Sequence, residues 1–208
     1  LYVKNLRITE GAEPQIPNVL SFDGVNDYVR IPYASALNPT SQIRVDVSAY
    51  MDNWEYFDPE ADVLISCTQV GGWNLAVSVD GLRFQVNVNG SYYYATYSPI
   101  TELSSGWHDF IASFDGRYAK LYVDNVLKST TDVGGIYQIS YTETVDILIG
   151  AEPGSDSSAV ENSYFKGRIK NVSIYSDVEG LSKVASWKLN EGTGLIAYDS
   201  VGSNDGTI

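Results

Sequence analysis

Short strand-like runs separated by turn dipeptides constrain the fold of this sequence more than any other feature. Apolar and polar residues alternate over residues 45–50, 84–88 and 120–123, which is typical of strands with one buried face. Between such runs stand Asp80-Gly81, Asn89-Gly90, Asp115-Gly116 and Asp124-Asn125, pairs that tolerate the positive φ of tight hairpin turns. The pattern predicts consecutive antiparallel hairpins over residues 73–97 and 107–131.

Helical periodicity is almost absent. The longest stretch with helix-compatible spacing, residues 178–185, is interrupted by Gly180, which disfavours a helix interior. Many short strands with regular turns predict an all-β, two-sheet antiparallel sandwich with little or no helix. Such sandwiches commonly form one domain of about 200 to 250 residues, which suits a chain of 208.

The charge balance excludes several classes of partner. The chain has 13 lysines and arginines against 26 aspartates and glutamates, for a formal net charge of −13. This charge repels phosphate backbones and anionic headgroups, so we expect no nucleic acid partner. We also expect no membrane insertion, because no run of 18 apolar residues is present. The lone cysteine, Cys67, excludes an intrachain disulfide and is predicted to be buried.

Several motifs follow one another in a characteristic order. The sequence reads F-D-G and then V-R-I-P over residues 22–32, W-H at 107–108, L-Y-V-D at 121–124 and I-L-I-G at 147–150. F-x-G-x-I-x-x-V-x-I-Y covers 165–175, and W-x-x-N-E-G-x-G covers 187–194 before a final G-T-I. Together they resemble the concanavalin A-like, laminin G-like jelly-roll domains of lectin modules, glycosidase accessory domains and phage fibres.

The resemblance implies a domain organisation. It covers residues 19–208 as a single jelly-roll domain, with residues 1–18 as a strand or linker from a preceding segment. Residues 187–208 resemble a segment that often opens or links such units, so they are a candidate lead into a following unit. Because the chain starts without Met and ends on a strand-like run, we expect it to be part of a longer protein.

Catalytic spacing is missing from the sequence. Glycosidases of the resembled fold carry E-x-D-x-x-E on one strand, so that acid and nucleophile flank one bond. The nearest string, residues 55–60, has the wrong spacing and contains Pro59, which is excluded from central strands. The only imidazole, His108, stands at a structural position of the family. We therefore expect the protein not to be an enzyme.

Aromatic residues supply the candidate ligand site. Flat apolar rings stack on pyranose C–H faces, and neighbouring amides and carboxylates bind the hydroxyls. The candidates are the rings near the Asn89-Gly90 turn and in the loop after residue 52, namely Tyr92, Tyr93, Tyr94, Tyr97, Trp54 and Tyr56. The competing interpretation is that these rings only stabilise the sheet through cross-strand pairs. Trp73, Trp107 and Trp187 occupy strand positions of the family and are predicted to be core residues.

Calcium is the candidate cofactor. Asp23, Asn26 and Asp27 cluster at a predicted turn where Asp23 and Gly24 also offer carbonyls, and Ca²⁺ takes six or more oxygens. The resemblance implies a rim ion at such a turn, whereas the simpler interpretation is an acidic turn held by its own hydrogen bonds. Lys170 stands where the family usually has an acidic residue, so its ammonium could replace the ion.

Two functions remain open from the sequence. The first is a non-catalytic module that recognises a carbohydrate or host receptor within a larger, oligomeric virion fibre or extracellular surface protein. The second is a structural or interaction domain, a decoration or spacer unit that packs against neighbouring chains without a sugar. Either function implies an extracellular or virion-surface location and a bacterial or phage origin.

Overall fold

The computed structural model describes residues 19–54, 62–68, 71–78, 80–141, 144–159 and 163–208. These residues form fifteen β strands and two single 3₁₀ turns, at Ser35–Leu37 and Ile100–Glu102, without an α-helix. Within this part of the chain, no helix is long and apolar enough to cross a membrane. The all-β prediction is confirmed, and the predicted linker at residues 1–18 lies outside the described residues.

The first sheet has seven antiparallel strands in the order β1-β12-β3-β8-β9-β10, with β13 paired to the second half of β12. Its strands are β1 (Leu20–Asp23), β3 (Ile43–Met51), β8 (Gly106–Phe114), β9 (Tyr118–Val123), β10 (Val126–Asp132), β12 (Lys166–Tyr175) and β13 (Lys183–Trp187).

The second sheet has eight antiparallel strands in the order β14-β15-β2-β11-β4-β5-β6-β7. Its strands are β2 (Val29–Ile31), β4 (Asp62–Cys67), β5 (Trp73–Ser78), β6 (Gly81–Val88), β7 (Ser91–Tyr97), β11 (Ile147–Ile149), β14 (Ile196–Ala197) and β15 (Gly206–Thr207). The chain crosses repeatedly between the two sheets, as in a jelly-roll sandwich.

The hairpins form where the turn dipeptides predict them. Asn89 and Gly90 join β6 to β7 with φ of 51° and 76°, and Asp124 and Asn125 join β9 to β10 with φ of 49° and 64°. Two successive positive φ values match the right-handed twist of the strands they connect. The local sequence therefore sets the registers of these two ribbons.

One apolar core fills the space between the sheets. Trp73 and Trp187 are both fully buried there, which confirms the prediction for these two residues. Burying one large apolar side chain contributes about 1.5 to 3 kcal/mol. Cys67 is also buried, and burial raises the pKa of its thiol to about 12 despite a hydrogen bond to Asn38.

Two glycines allow backbone to approach closely. A Cβ at Gly206 would lie 2.6 Å from the Val29 side chain, so only glycine lets β15 lie against β2 at this point. A Cβ at Gly167 would collide with the carbonyl oxygen of Tyr50, across the pair of β12 and β3. Both positions use the absence of a side chain to bring neighbouring strands together.

Candidate ligand-binding site

A single row of ladder partners crosses the outer face of the second sheet from edge to edge. Directly opposed residues of paired strands share a face, so the register alone places their side chains side by side. From β7 to β14 the row is Tyr94, Gln85, Asn74, Ser66, Leu148, Arg30, Thr207 and Ile196.

The centre of this row is polar and buried. Ser66, Asn74 and Gln85 are 0%, 1% and 9% exposed, and Asn87 beside them is 4% exposed. The Asn74 Oδ1 atom is buried and has no hydrogen-bond partner among the described residues. Buried polar atoms are nearly always paired, so an acceptor left unpaired here is unusual.

A carboxylate adjoins the row. The Thr68 hydroxyl donates to Glu152 Oε1 at 2.8 Å and lies 2.9 Å from the Ser66 hydroxyl. Burial raises the pKa of Glu152, and the hydrogen bond from Thr68 and the charge of Arg83 oppose this rise. The result is a half-buried carboxyl group beside the polar row.

Arg83 brings a cation to the same face. It is the ladder partner of Ala76 and Thr96, two residues along β6 from Gln85. Its guanidinium carbon lies 5.8 Å from the centroid of the Tyr94 ring, and its Nε is buried without a partner among the described residues. The Nε–H donor of Arg83 is therefore a second unpaired polar group on this face, besides the Asn74 acceptor.

Strand β7 places the predicted tyrosines alternately on the two faces of the second sheet. Tyr94, 44% exposed, and half-buried Tyr92 flank the polar row on the outer face. The Tyr92 hydroxyl accepts the Gly71 N–H at 2.9 Å. Tyr93 packs against the core, and Tyr97 is 8% exposed with its hydroxyl donating to Glu102. Tyr92 and Tyr94 are thus the two predicted rings that face a ligand surface.

Trp54 is a core residue in the structure. It is 1% exposed, and its ring meets those of His108 and Phe110 edge-on at centroid distances of 5.7 and 5.3 Å. A ring this buried has no face left for a sugar, so the prediction that Trp54 contacts a ligand is corrected. Tyr56, predicted from the same loop, lies outside the described residues.

Trp107, which the sequence predicts to be a core residue, faces outward. It is half-buried on the outer face of the first sheet, where its ring centroid lies 5.7 Å from that of Tyr50. The Lys170 ammonium lies 4.0 Å from the Trp107 centroid. Trp107 is therefore not a core residue, because its ladder partner Tyr50 faces outward with it.

The acidic turn after β1 is held by its own hydrogen bonds. Asp23 Oδ1 accepts the N–H of Val25 at 2.8 Å, and Asp27 Oδ2 accepts the N–H of Asp23 at 2.9 Å. The amide of Asn26 and the carbonyls of Asp23 and Gly24 add oxygens, so a hard cation fits the chemistry of the turn. The described residues contain no group of three or more acidic, histidine or cysteine side chains placed to hold a metal. Calcium here stays a prediction.

Lys170 does not stand at this turn. Asp23 is the ladder partner of Lys166, and Lys170 lies four residues farther along β12. At the rise of a strand this separation is about 13 Å. The Lys170 ammonium, which the sequence suggests as a substitute for the ion, lies over the Trp107 ring instead.

His108 is held at both ring nitrogens. Its Nδ1 lies 2.7 Å from Asp124 Oδ2, and its Nε2 lies 3.0 Å from the carbonyl oxygen of Ser104. The side chain is 9% exposed and packs against Trp54. A catalytic imidazole needs one nitrogen directed at a nucleophile or substrate, whereas one nitrogen here contacts the Asp124 carboxylate and the other the backbone carbonyl of Ser104.

A family model described as the Concanavalin A-like lectin/glucanases superfamily, named Laminin G 3, matches residues 23–185. The chain belongs to this family. The match confirms the resemblance found in the sequence motifs. No curated protein matches the sequence.

Solved structures share the concanavalin A-like fold. A "putative carbohydrate binding protein" from Bacteroides ovatus aligns over 91% of this chain at 14% identity and a TM-score of 0.66; the chain spans 58% of its length. Domain 4 of AbnA, a GH43 extracellular arabinanase from Geobacillus stearothermophilus solved with arabinotriose, aligns over 78% of this chain and 72% of its own length, at 14% identity and a TM-score of 0.56. Domains LG4-5 of the mouse laminin alpha1 chain align over 74% of this chain and 40% of theirs, at 17% identity and a TM-score of 0.53.

Sequence reasoning missed most of the polar row on this concanavalin A-like sheet. Asn74, Gln85, Arg83 and Glu152 were not among the predicted site residues. The alternation in β6, where Arg83, Gln85 and Asn87 stand between buried apolar residues, carried a signal for one polar face. Glu152 had no such signal, because only tertiary structure brings it to Thr68.

Proposed function

We propose that this domain is a non-catalytic carbohydrate-binding module whose ligand lies on the outer face of the second sheet. The observation that carries the proposal is the exposed ring of Tyr94 beside Gln85 and the buried, unpartnered Oδ1 of Asn74. A flat ring next to convergent polar groups is the arrangement that binds a saccharide.

Each group has a chemical role in this proposal. The ring of Tyr94 stacks on the C–H face of a sugar, and the Arg83 guanidinium lies 5.8 Å from its centroid. The amide of Gln85 exchanges hydrogen bonds with hydroxyl groups. Asn74 Oδ1 is buried, so it accepts a sugar hydroxyl once the ligand opens the face above it. The carboxyl group of Glu152 offers a further acceptor beside Ser66. None of these roles requires a bond to break.

The comparisons support this proposal at the level of the fold. The Geobacillus domain carries arabinotriose on a sandwich of the same type and is part of an extracellular enzyme. A shared fold does not determine function, so the argument for this chain depends on its own row of residues. We propose an extracellular or particle-surface location within a larger assembly, with a glycan, free or on a host receptor, as the partner.

A second candidate function is a structural unit that packs against neighbouring chains. The observation that favours it is an exposed apolar group at the β14–β15 edge, where Leu195, Ile196 and Tyr198 are 68%, 43% and 56% exposed. An apolar sheet edge of this kind is a common protein contact. A concentration-dependent oligomer broken by Ile196→Lys would support this function.

The binding proposal is tested by screening glycans and then titrating the strongest binder by calorimetry. We expect Tyr94→Ala and Gln85→Ala each to weaken binding tenfold or more. Matched controls are Tyr122→Ala on the first sheet and Gln138→Ala in an exposed loop, which should leave the affinity unchanged. Equal loss in the control variants, or saturable binding that ignores Tyr94 and Gln85, would contradict the assignment of this face.

A further inference from the structure

The outer face of the first sheet carries three cations in one line. Lys166, Arg168 and Lys170 alternate along β12 with Gly167 and with fully buried Ile169. Side chains two residues apart on a strand point to the same face and stand about 6.8 Å apart. The line is therefore a regular row of positive charge in a chain whose net charge is −13.

Aromatic rings, rather than carboxylates, hold two of these cations in place. The guanidinium carbon of Arg168 lies 4.2 Å from the centroid of Tyr50, and the ammonium of Lys170 lies 4.0 Å from that of Trp107. The ion pairs of the described residues use other cations on this side of the molecule, Arg44, Arg117 and Lys120. A ring orients a cation without cancelling its charge, so these charges stay available to a ligand.

Two carboxylates on the same face already have other partners. Asp46 accepts two hydrogen bonds from Arg44, at 2.7 and 3.0 Å. Asp109 accepts a hydrogen bond from the hydroxyl of Ser48, which stands between it and Lys170 in the ladder. These two acidic side chains do not pair with the three cations of β12.

A cavity adjoins the start of the row. It measures about 500 Å³, and its lining includes Lys166, Arg168, Tyr50, Ser21, Asn53 and Asp52. This volume falls within the range of small-ligand pockets, about 300 to 1,000 Å³. Two cations, one carboxylate, a ring, a hydroxyl and an amide thus line one concave space.

We propose that this face is a second saccharide site, selective for an anionic polysaccharide with carboxylate or sulfate groups. Evenly spaced cations match a linear chain with repeating charges, and Tyr50 and Trp107 supply apolar ring surface beside them. The site lies on the opposite sheet from the Tyr94 row and differs from it in charge. This proposal does not depend on the function proposed for the Tyr94 row.

The test is affinity electrophoresis and calorimetry of the intact chain with polygalacturonate, dextran sulfate and neutral dextran. We expect both anionic polymers to bind and neutral dextran not to bind. Affinity should fall with added salt, because salt screens charges that lie at the surface. The double variant R168Q/K170Q should bind at least tenfold more weakly. A thermal melt checks that the variant remains folded.

Two controls separate this site from general charge effects and from the other sheet. K120Q/K128Q makes the same change in net charge on β9 and β10 and should keep its affinity, as should Arg168→Lys, which keeps the cation. Tyr94→Ala should also bind the anionic polymers normally. The proposal is overturned if R168Q/K170Q binds as wild type, if neither anionic polymer binds, or if polyglutamate binds as strongly as the polysaccharides.

Discussion

The carboxylate of Asp199 accepts the backbone N–H of Ser186 at 2.9 Å and so ties the segment after β13 back to that strand. The same side chain accepts the N–H of Val201 at 3.0 Å and two hydrogen bonds from Asn204. Asn204 in turn accepts the indole N–H of Trp187 through its carbonyl at 2.8 Å. One buried carboxylate thus organises the loop between β14 and β15.

We expect Asp199→Ala to lower the free energy of unfolding by about 2 to 3 kcal/mol, because it leaves several donors unpaired, some of them buried. Urea denaturation measures the change. Asp177→Ala is the matched control, since Asp177 accepts three backbone N–H groups in an exposed bend. A loss as large in the control as in Asp199→Ala would contradict the special role of Asp199.

Stability should fall at acid pH partly through Asp199 and Asp124. Burial opposes ionisation of both, but hydrogen bonds from backbone and side chains outweigh it and lower the pKa of each carboxyl group. A lowered folded pKa gives stability that is present above the unfolded value, about 3.9, and is lost as pH falls through the folded pKa. Asp199→Asn should therefore be less stable than wild type at pH 7. Denaturation at a series of pH values should show the difference in free energy of unfolding between wild type and Asp199→Asn becoming smaller below pH 4. A difference that did not change with pH would contradict this role of the Asp199 pKa.

Trp54 should act on stability and not directly on binding. Trp54→Ala removes a buried ring that packs on His108 and Phe110, and we expect a loss of about 3 to 5 kcal/mol. Trp54→Phe retains part of the packing and should lose less. Guanidinium denaturation measures both. If Trp54→Phe kept full stability but lost glycan affinity, Trp54 would be a ligand residue after all.

Asn74, in contrast, should affect glycan binding and not stability. Its buried Oδ1 lacks a partner in the described part of the chain, so Asn74→Leu replaces an uncompensated polar group by an apolar one of similar size. We expect the variant to be as stable as wild type, or up to about 1 kcal/mol more stable, while glycan affinity falls. Paired urea denaturation and calorimetry make the measurement. A clear loss of stability would indicate that the amide has a structural role.

The turn after β1 gives a test of the calcium prediction. Asp27→Ala removes the acceptor of the Asp23 N–H, and we expect a loss of about 1 kcal/mol with or without metal. Thermal melts in EDTA and in millimolar calcium separate the two interpretations, because an ion bound only by the folded state raises Tm. A rise in wild type that Asp27→Ala abolishes would assign the ion to this turn. Coincident melts would show that hydrogen bonds alone hold it.

The sequence was sufficient for the strands, the hairpin turns and the sandwich, because these follow from local alternation and from residue pairs such as Asn89-Gly90. The pairing of β12 between β1 and β3 could be expected only through the family resemblance. It joins segments more than 100 residues apart, and local propensity contains no information on such contacts.

The predictions for Trp107 and Trp54 failed for different reasons. In β8, Trp107 and Asp109 alternate with His108 and Phe110, which face the core. The alternation of β8 thus places Trp107 on the same face as Asp109. This pattern indicates an outward-facing ring, but the hydrophobicity of tryptophan favoured a core assignment. Trp54 follows the end of β3, where no alternation indicates a face.

The buried thiol of Cys67 makes this domain convenient for site-specific chemistry. At neutral pH a group with a pKa near 12 is almost entirely in the unreactive thiol form, and the chain has no other cysteine. A cysteine introduced at Thr96, two residues from Tyr94 on β7, or at exposed Asn171, next to Lys170, would react with maleimide dyes while Cys67 stayed unlabelled. Two such single-site conjugates would let fluorescence report each sheet face separately when a saccharide arrives.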